Sequence, residues 1–250
     1  MKRILKFVAV ILFSILTAAC SESTSNHGFT IEFQLDEMPD CNFFVSERIP
    51  NQLSWFKDTL ELKNGKAKYR GRVDYPRMTN FYFAKGQNIY GTIEVFLDNS
   101  PRIKIKGKNV HDAEVIGCKS HNDYLAINES LYKEFEEIQN ASEKISDAYR
   151  ENRDSYVLEN LKQTKEQAKM ALLMKMLKIP GYATSSVCPY IIYTYFLGNT
   201  ELLEMALSTL DASLDDNGYV KEEKEEIYRQ RRTGIGQTAF NFNMKDINGK

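Results

Sequence analysis

Hydrophobic and polar residues alternate with a period of two between residues 29 and 119. Phe29, Ile31, Phe33 and Leu35 begin this pattern, which is typical of a strand with one buried face. Similar short runs follow, separated by turn residues, with apolar positions in Asn42–Glu47, Leu60–Leu62, Ala67–Val73, Phe81–Phe83, Ile93–Leu97, Ile103–Ile105 and at Val115. We therefore predict seven or eight short strands over residues 29–119, arranged as an antiparallel β-sandwich or an open barrel.

One turn in this region has a strong sequence signal. Asn64-Gly65 lies between two alternating runs, and both residues tolerate the positive φ angles that a tight hairpin turn requires. The pattern predicts a hairpin between the strand that ends near Leu62 and the strand that begins near Ala67.

From residue 120 to residue 233 the hydrophobic period changes to 3.6, which indicates helices. Ser120 and Asp123 are a predicted capping pair for the first helix. The predicted helices run from about Ser120 to Tyr149, Tyr156 to Leu177, Ser186 to Leu197, Thr200 to Leu210 and Lys221 to Arg232. The predicted fold class is therefore α+β, with the β domain at residues 29–119 and a helical bundle at residues 120–233.

The first twenty residues have the layout of a bacterial lipoprotein signal. A basic start, Met1-Lys2-Arg3, precedes an apolar run from Phe7 to Leu16, and small residues then lead to Cys20. This order predicts a signal peptide at residues 1–19, acylation of the Cys20 thiol and a polar tether at residues 20–28. The alternative is an uncleaved N-terminal anchor. Both place the folded part outside the cytoplasm, and Ser21 in place of Asp favours the periplasmic side of the outer membrane over the inner membrane.

Length and charge exclude some classes of protein. The chain has 250 residues, of which 42% are hydrophobic, and its net charge is −1. Loss of residues 1–19 removes Lys2, Arg3 and Lys6, which lowers the net charge to about −4. A nucleic-acid partner is not expected, because such proteins need an excess of basic residues to displace counterions from phosphates. A multi-span membrane protein is excluded, since there is only one long apolar run.

The four cysteines include no C-x-x-C pair, so we predict no catalytic, cofactor-binding or metal-binding residue in this chain. Cys41 and Cys118 lie at the edges of predicted strands and could form a disulfide in an oxidising compartment. Free thiols are the alternative, because sequence cannot place two Cα atoms within bridging range. Cys188 is predicted to be a buried free thiol. His27, His111 and His121 lack metal-ligand spacing and are interpreted as solvated loop residues.

The last residues change character again. Residues 234–238 contain glycines typical of a linker, and Phe240, Phe242 and Met244 then alternate with polar residues. Asn248-Gly249 follows as a turn signal without a second strand. Since half a hairpin buries too little surface to fold alone, we expect this strand to open a further domain that continues past Lys250. The alternative is an ordered C-terminal strand of the preceding domain.

Residues 236–250 resemble the opening strands of thioredoxin-like domains of the TlpA/ResA and peroxiredoxin type, which read G-x-x-A-P-D-F-x-L-x-D-x-x-G-K. Phe240 and Asn241 stand where Pro-Asp is usual. Upstream, Asp58-Thr59-Leu60 with Asn64-Gly65-Lys66, Phe96-Leu97-Asp98 and Ile116-Gly117 resemble a β-rich domain of unknown function. In lipoproteins of the Bacteroidetes type that domain precedes a helical region and then a thioredoxin-like domain.

This resemblance implies the accessory region of a membrane-anchored envelope thiol–disulfide oxidoreductase, which would anchor the redox domain and bind protein clients. The catalytic W-C-x-x-C motif of the family has no counterpart here, since Trp55 is the only tryptophan and no two cysteines are separated by two residues. The alternative is a non-enzymatic envelope lipoprotein that acts as a binding or scaffolding module. Neither hypothesis specifies an oligomeric state.

We expect Cys20 to be the acylated first residue of the mature protein, because the preceding residues have the order of a lipoprotein signal. The precursor should incorporate a labelled fatty acid when expressed in a bacterium that processes lipoproteins, and Cys20→Ala should not. Label retained by Cys20→Ala would refute the assignment.

Overall fold

The chain folds as an α+β protein in a computed structural model that describes residues 28–47 and 57–233. Eight strands come first and five helices follow, as the change of hydrophobic period predicted. The strands are β1 (Phe29–Leu35), β2 (Cys41–Glu47), β3 (Asp58–Leu62), β4 (Lys66–Gly71), β5 (Arg77–Lys85), β6 (Asn88–Leu97), β7 (Ile103–Gly107) and β8 (Glu114–Ile116).

The strands form two four-stranded sheets. Sheet A has the order β4-β1-β7-β8, and sheet B has the order β3-β2-β5-β6. Sheet B is antiparallel throughout. Sheet A is mixed, because β1 pairs antiparallel with β4 and parallel with β7. Strands β5 and β6, which come between β4 and β7 in the sequence, belong to sheet B. Since no hairpin turn connects β1 directly to β7, these two strands can run parallel.

Phenylalanine side chains fill the space between the two sheets. Phe33 of β1 lies at the centre, and its ring centroid is 4.9 Å from Phe43, 5.3 Å from Phe81 and 6.0 Å from Phe83. Alternate residues of β1 are buried, which is the pattern that the sequence predicted. The eight strands therefore make a two-layer sandwich, and the described residues form no closed barrel.

The Asn64-Gly65 turn forms as predicted, but the two strands that it joins soon separate. Asn64 and Gly65 both have positive φ angles, 49° and 68°, and Lys63 makes a single bridge with Lys66. Beyond that bridge β3 enters sheet B and β4 enters sheet A. The predicted hairpin is therefore a corner between the sheets rather than a pair of adjacent strands.

The helices are α1 (Lys119–Arg150), α2 (Ser155–Met176), α3 (Cys188–Tyr195), α4 (Thr200–Ser208) and α5 (Gly218–Thr233). Asp154 caps α2 and Asn199 caps α4 through their side chains. The predicted Ser120–Asp123 cap of α1 does not form, because Asp123 instead pairs with Lys119 at 2.7 Å. The N-cap residue of α1 is Cys118, whose side chain makes no capping hydrogen bond.

The helices pack on the side of sheet B that faces away from sheet A. Their core includes Met78 of β5 and Phe96 of β6, both almost fully buried. Phe81 of β5 and Val95 of β6 point instead into the sandwich core. Sheet B is thus buried on both faces at this end, and the layers follow the order sheet A, sheet B, helices.

Three predicted segments lie outside the described residues. These are the signal peptide with Cys20, the tether up to residue 27, and the linker with its strand at residues 234–250. Among the helices that the structure does describe, none is both long and apolar enough to span a membrane.

Gly65→Ala should destabilise the protein much more than Gly86→Ala. Both glycines have positive φ angles, 68° and 60°, so each alanine introduces backbone strain of about 1 kcal/mol. A Cβ at Gly65 would also collide with the carbonyl oxygen of Leu35, whereas a Cβ at Gly86 meets nothing within 4 Å. We expect Gly65→Ala to lower the free energy of unfolding by about 3 kcal/mol or more, as measured by urea denaturation. Equal losses in the two variants would contradict this view of the corner.

Candidate functional site

The candidate site is the junction where the end of β6 meets the start of α1. Phe96 is its centre: its ring stacks on Tyr124 with a centroid distance of 5.6 Å, and it contacts Tyr190 of α3 at 5.5 Å. The backbone carbonyl of Phe96 accepts a hydrogen bond from the Cys118 thiol at 3.4 Å. Cys, His and Asp side chains meet here, which is a combination that can support nucleophilic catalysis.

Asp98 supplies the cap that the sequence of α1 lacks. Its carboxylate accepts hydrogen bonds from the backbone N–H of Ser120 at 2.9 Å and of Ser100 at 2.8 Å. Burial acts to raise the pKa of Asp98, but hydrogen bonds from Ser100 and Ser120 outweigh it and hold the pKa below its usual range. A charged carboxylate at a helix N-terminus stabilises the first turn, since it faces the positive end of the helix dipole.

His121 is a structural acceptor at this junction. Its Nδ1 atom accepts a hydrogen bond from the backbone N–H of Phe96 at 3.2 Å, and burial lowers its pKa. The imidazole is therefore neutral, with its proton on Nε2. The interpretation of His121 as a solvated loop residue is wrong, because the side chain is buried in the first turn of α1.

The geometry does not favour a nucleophilic thiol. Cys118 lies at a helix N-terminus, a position that ordinarily lowers the pKa of a thiol. Burial instead raises its pKa to about 11, and the carboxylate of Asp98 lies only 3.5 Å from its Sγ. The Nδ1 atom of His121 is already occupied by the Phe96 N–H. We conclude that this cluster joins the two halves of the fold and does not act as a catalytic triad.

Cys41 and Cys118 do not form the disulfide that the sequence allowed; both are free, buried thiols. Cys41 precedes Asn42, which pairs with Ala84 near the β5–β6 turn. Cys118 contacts Phe96, which pairs with Met78 at the opposite end of β5. That separation along β5 is about 20 Å, far beyond the Cα spacing of about 4.4–6.8 Å that a disulfide requires.

A groove of about 590 Å³ lies beside the junction, between the first turns of α1 and the segment that joins α2 to α3. Its walls include Ile127, Ile179 and Tyr182, with Lys178 and Ser130 among the polar residues. This size and mixture of surfaces suits a small ligand or a short stretch of peptide. The sequence did not predict this groove, because its walls come from segments about fifty residues apart.

A buried ion pair lies where β2 and β5 meet the helices. Arg77 donates to Glu47 at 3.1 Å, and Lys57 donates to the other carboxylate oxygen of Glu47 at 2.8 Å. The guanidinium of Arg77 also covers the ring of Tyr75 at 4.4 Å, and Tyr75 contacts Tyr219 of α5. Removing one partner would leave a buried charge unpaired, so this network stabilises the joint between sheet B and α5.

Glu223 of α5 is fully buried, and both of its carboxylate oxygens lack a hydrogen-bond partner among the described residues. Burial raises its pKa to about 8, with smaller contributions from Glu222 and Glu226. The carboxyl group is therefore mostly protonated at neutral pH. No cluster of three or more His, Cys, Asp or Glu side chains that could hold a metal ion occurs in the part of the chain that the structure describes.

Comparison with protein families identifies the first half of this fold. Residues 26–124 match a family model described as "Domain of unknown function (DUF4369)". This part of the chain is therefore similar to the DUF4369 family. No significant match was found among curated proteins or among solved structures.

The region that matches the DUF4369 family includes the junction as well as the sandwich. Its match covers all eight strands and continues into α1 as far as Tyr124, so that Asp98, Cys118 and His121 belong to it. The groove, by contrast, also needs the segment between α2 and α3, which lies outside the matched residues.

His111 and Cys188 lie in the environments that the sequence predicted for them. His111 is exposed in the loop before β8, and Cys188 is a fully buried free thiol whose pKa burial raises to about 12. The sequence predicted a helix over Lys221–Arg232 but did not predict the burial of Glu223. The signal was available, because Tyr219, Val220, Glu223 and Ile227 follow one helical stripe.

Glu223→Gln should stabilise the protein at alkaline pH. The folded-state pKa of Glu223, about 8, lies above its unfolded value, so the stability that its protonated form contributes is complete below the unfolded pKa and is lost as the pH rises through the folded pKa. Glutamine cannot ionise, so we expect a gain on the order of 2 kcal/mol at pH 9 that shrinks toward pH 5.

The matched control is Glu225→Gln, since Glu225 is exposed on the same helix. Urea denaturation at several pH values measures the free energy of unfolding of each variant. A gain from Glu223→Gln that does not depend on pH, or an equal gain from Glu225→Gln, would contradict a buried, protonated carboxyl group.

Proposed function

We propose that this chain is the anchoring and partner-binding region of a membrane-anchored envelope thiol–disulfide oxidoreductase. Four features in order support the proposal: the lipoprotein signal that ends at Cys20, the DUF4369 domain, the helical bundle, and residues 236–250, which resemble the opening of a thioredoxin-like domain. In this proposal the redox motif lies after Lys250.

The state of the thiols supports an accessory and not a catalytic role for this region. Cys41, Cys118 and Cys188 are all buried, and burial raises the pKa of each. Disulfide exchange needs an accessible thiolate and a second thiol close to it. The described part of the chain therefore offers no redox pair, and a thioredoxin-like domain would have to supply one.

The proposed location is the cell envelope, with Cys20 carrying the lipid. Acyl chains contribute about 0.8 kcal/mol for each buried CH₂ group, so several of them would hold the protein on a membrane stably. The absence of Asp after Cys20 favours the periplasmic face of the outer membrane.

A non-enzymatic binding or scaffolding lipoprotein is the second candidate. The groove of about 590 Å³ favours it, because the groove lies between α1 and the segment that joins α2 to α3 and needs no redox domain to bind a partner. Both candidates assign partner binding to the same groove, and they differ only in whether a redox centre follows.

We expect residues 21–250 to show no turnover in an insulin-disulfide reduction assay, whereas the chain extended through the following domain of its gene should be active. The reason is that only the extended protein would carry accessible paired thiols. The control is the extended protein in which the first cysteine of the W-C-x-x-C motif is changed to serine. It measures any insulin reduction that does not come from this motif. Turnover by residues 21–250 would refute the accessory role, and an inactive extended protein would favour the non-enzymatic candidate.

A further inference from the structure

The outer face of sheet A carries a strong excess of positive charge. Three of its strands alternate between buried residues and exposed polar ones. Six exposed basic side chains share this face with two exposed acidic ones, Glu32 and Glu114; the basic residues are Lys66, Lys68, Arg70, Arg102, Lys104 and Lys106. We call these eight residues the basic face.

Strand register brings the basic residues together in rows. Glu32 of β1 lies opposite Lys68 of β4 on one side and opposite Lys104 of β7 on the other. Gln34, two residues further on, lies between Lys66 and Lys106 in the same way. Glu32 therefore compensates only part of this charge, chiefly by accepting a hydrogen bond from Lys68 at 3.1 Å.

The fold leaves the basic face uncovered among the described residues. The inner face of sheet A packs on sheet B, and the helices pack on the opposite side of sheet B around Met78 and Phe96. The basic face is therefore the surface furthest from the helices and from α5, which leads to the C-terminal residues.

The charge is local, because the whole chain has a net charge of −1. At physiological ionic strength charges further apart than about 8 Å are screened from each other. The basic face would therefore attract an anionic surface even though the protein as a whole is slightly acidic.

We propose that the basic face of sheet A binds the anionic phospholipid headgroups of the membrane to which the protein is anchored. Its six basic side chains would contact lipid phosphates, while the helices would point away from the bilayer. The exposed side chain of Ile116, on the edge strand β8 and 47% accessible, lies opposite Lys104 and would contact the interface beside the phosphates.

The position of β1 favours a membrane over other polyanions. β1 is an inner strand of sheet A and begins at Phe29, nine residues after Cys20. Fully extended, that connection spans about 30 Å, so an acylated Cys20 would hold sheet A near the headgroups. This argument rests on the proposed acylation, whereas the charge of the basic face does not.

The proposal can be tested with residues 21–250, which keep every strand and helix described and lack the lipid. Co-sedimentation should show binding to vesicles of roughly equal parts phosphatidylglycerol and phosphatidylcholine, and at least about 30-fold weaker binding to pure phosphatidylcholine. Binding should be lost as salt rises from about 0.1 M to about 1 M, where the screening length falls from about 10 Å to about 3 Å.

The decisive variant changes Lys66, Lys104 and Lys106 to Glu. Each basic residue near an anionic surface contributes about a five-fold increase in binding, so the triple variant should bind phosphatidylglycerol vesicles at least about 30-fold more weakly. The matched control changes Lys133, Lys144 and Lys162, which are exposed on α1 and α2, to Glu. Circular dichroism melting of both triple variants checks that they are folded.

Equal loss of binding in the two triple variants would overturn the proposal, because it would reflect net charge and not the basic face. Equal binding of the wild type to both kinds of vesicle would overturn it as well. Binding to a short DNA duplex but not to vesicles would instead identify a nucleic-acid surface. None of these results depends on acylation or redox activity, so the outcome is independent of the proposed function.

Discussion

The double-sided burial of sheet B at Phe96 is the constraint on which the rest of this structure depends. Neighbouring residues of β6 point in opposite directions, so Val95 and Leu97 enter the sandwich core while Phe96 enters the helical core. The backbone N–H and carbonyl of Phe96 bond to His121 and Cys118. One segment of strand therefore holds the sandwich and the first helix in a fixed relation, because shifting it would expose two cores at once.

This constraint also explains the chemistry of the junction. A Cys–His–Asp cluster at a helix N-terminus has the composition of a catalytic site, but each polar group here already has a structural partner. Asp98 caps α1, His121 accepts from the backbone, and the Cys118 thiol is buried beside a carboxylate. Buried polar groups must be satisfied, and in a tight junction the local backbone satisfies them before any substrate can.

The layered arrangement gives the molecule two different ends. Sheet A presents basic side chains to solvent, and the helices lie on the far side of sheet B with the groove beside the junction. The residues that match the DUF4369 family include all of sheet A but only part of the groove.

The sequence by itself determined the α+β class, most element boundaries and the Asn64-Gly65 turn, because hydrophobic period and turn chemistry act over a few residues. Only the tertiary structure decided the parallel pairing of β1 with β7, the cap that Asp98 supplies to α1, and the burial of His121 and Glu223. It also decided the separation of Cys41 from Cys118 and the alignment of basic residues across β4, β1 and β7. These features depend on which distant segments meet, and hydrophobic periodicity within one segment carries no information about its partner.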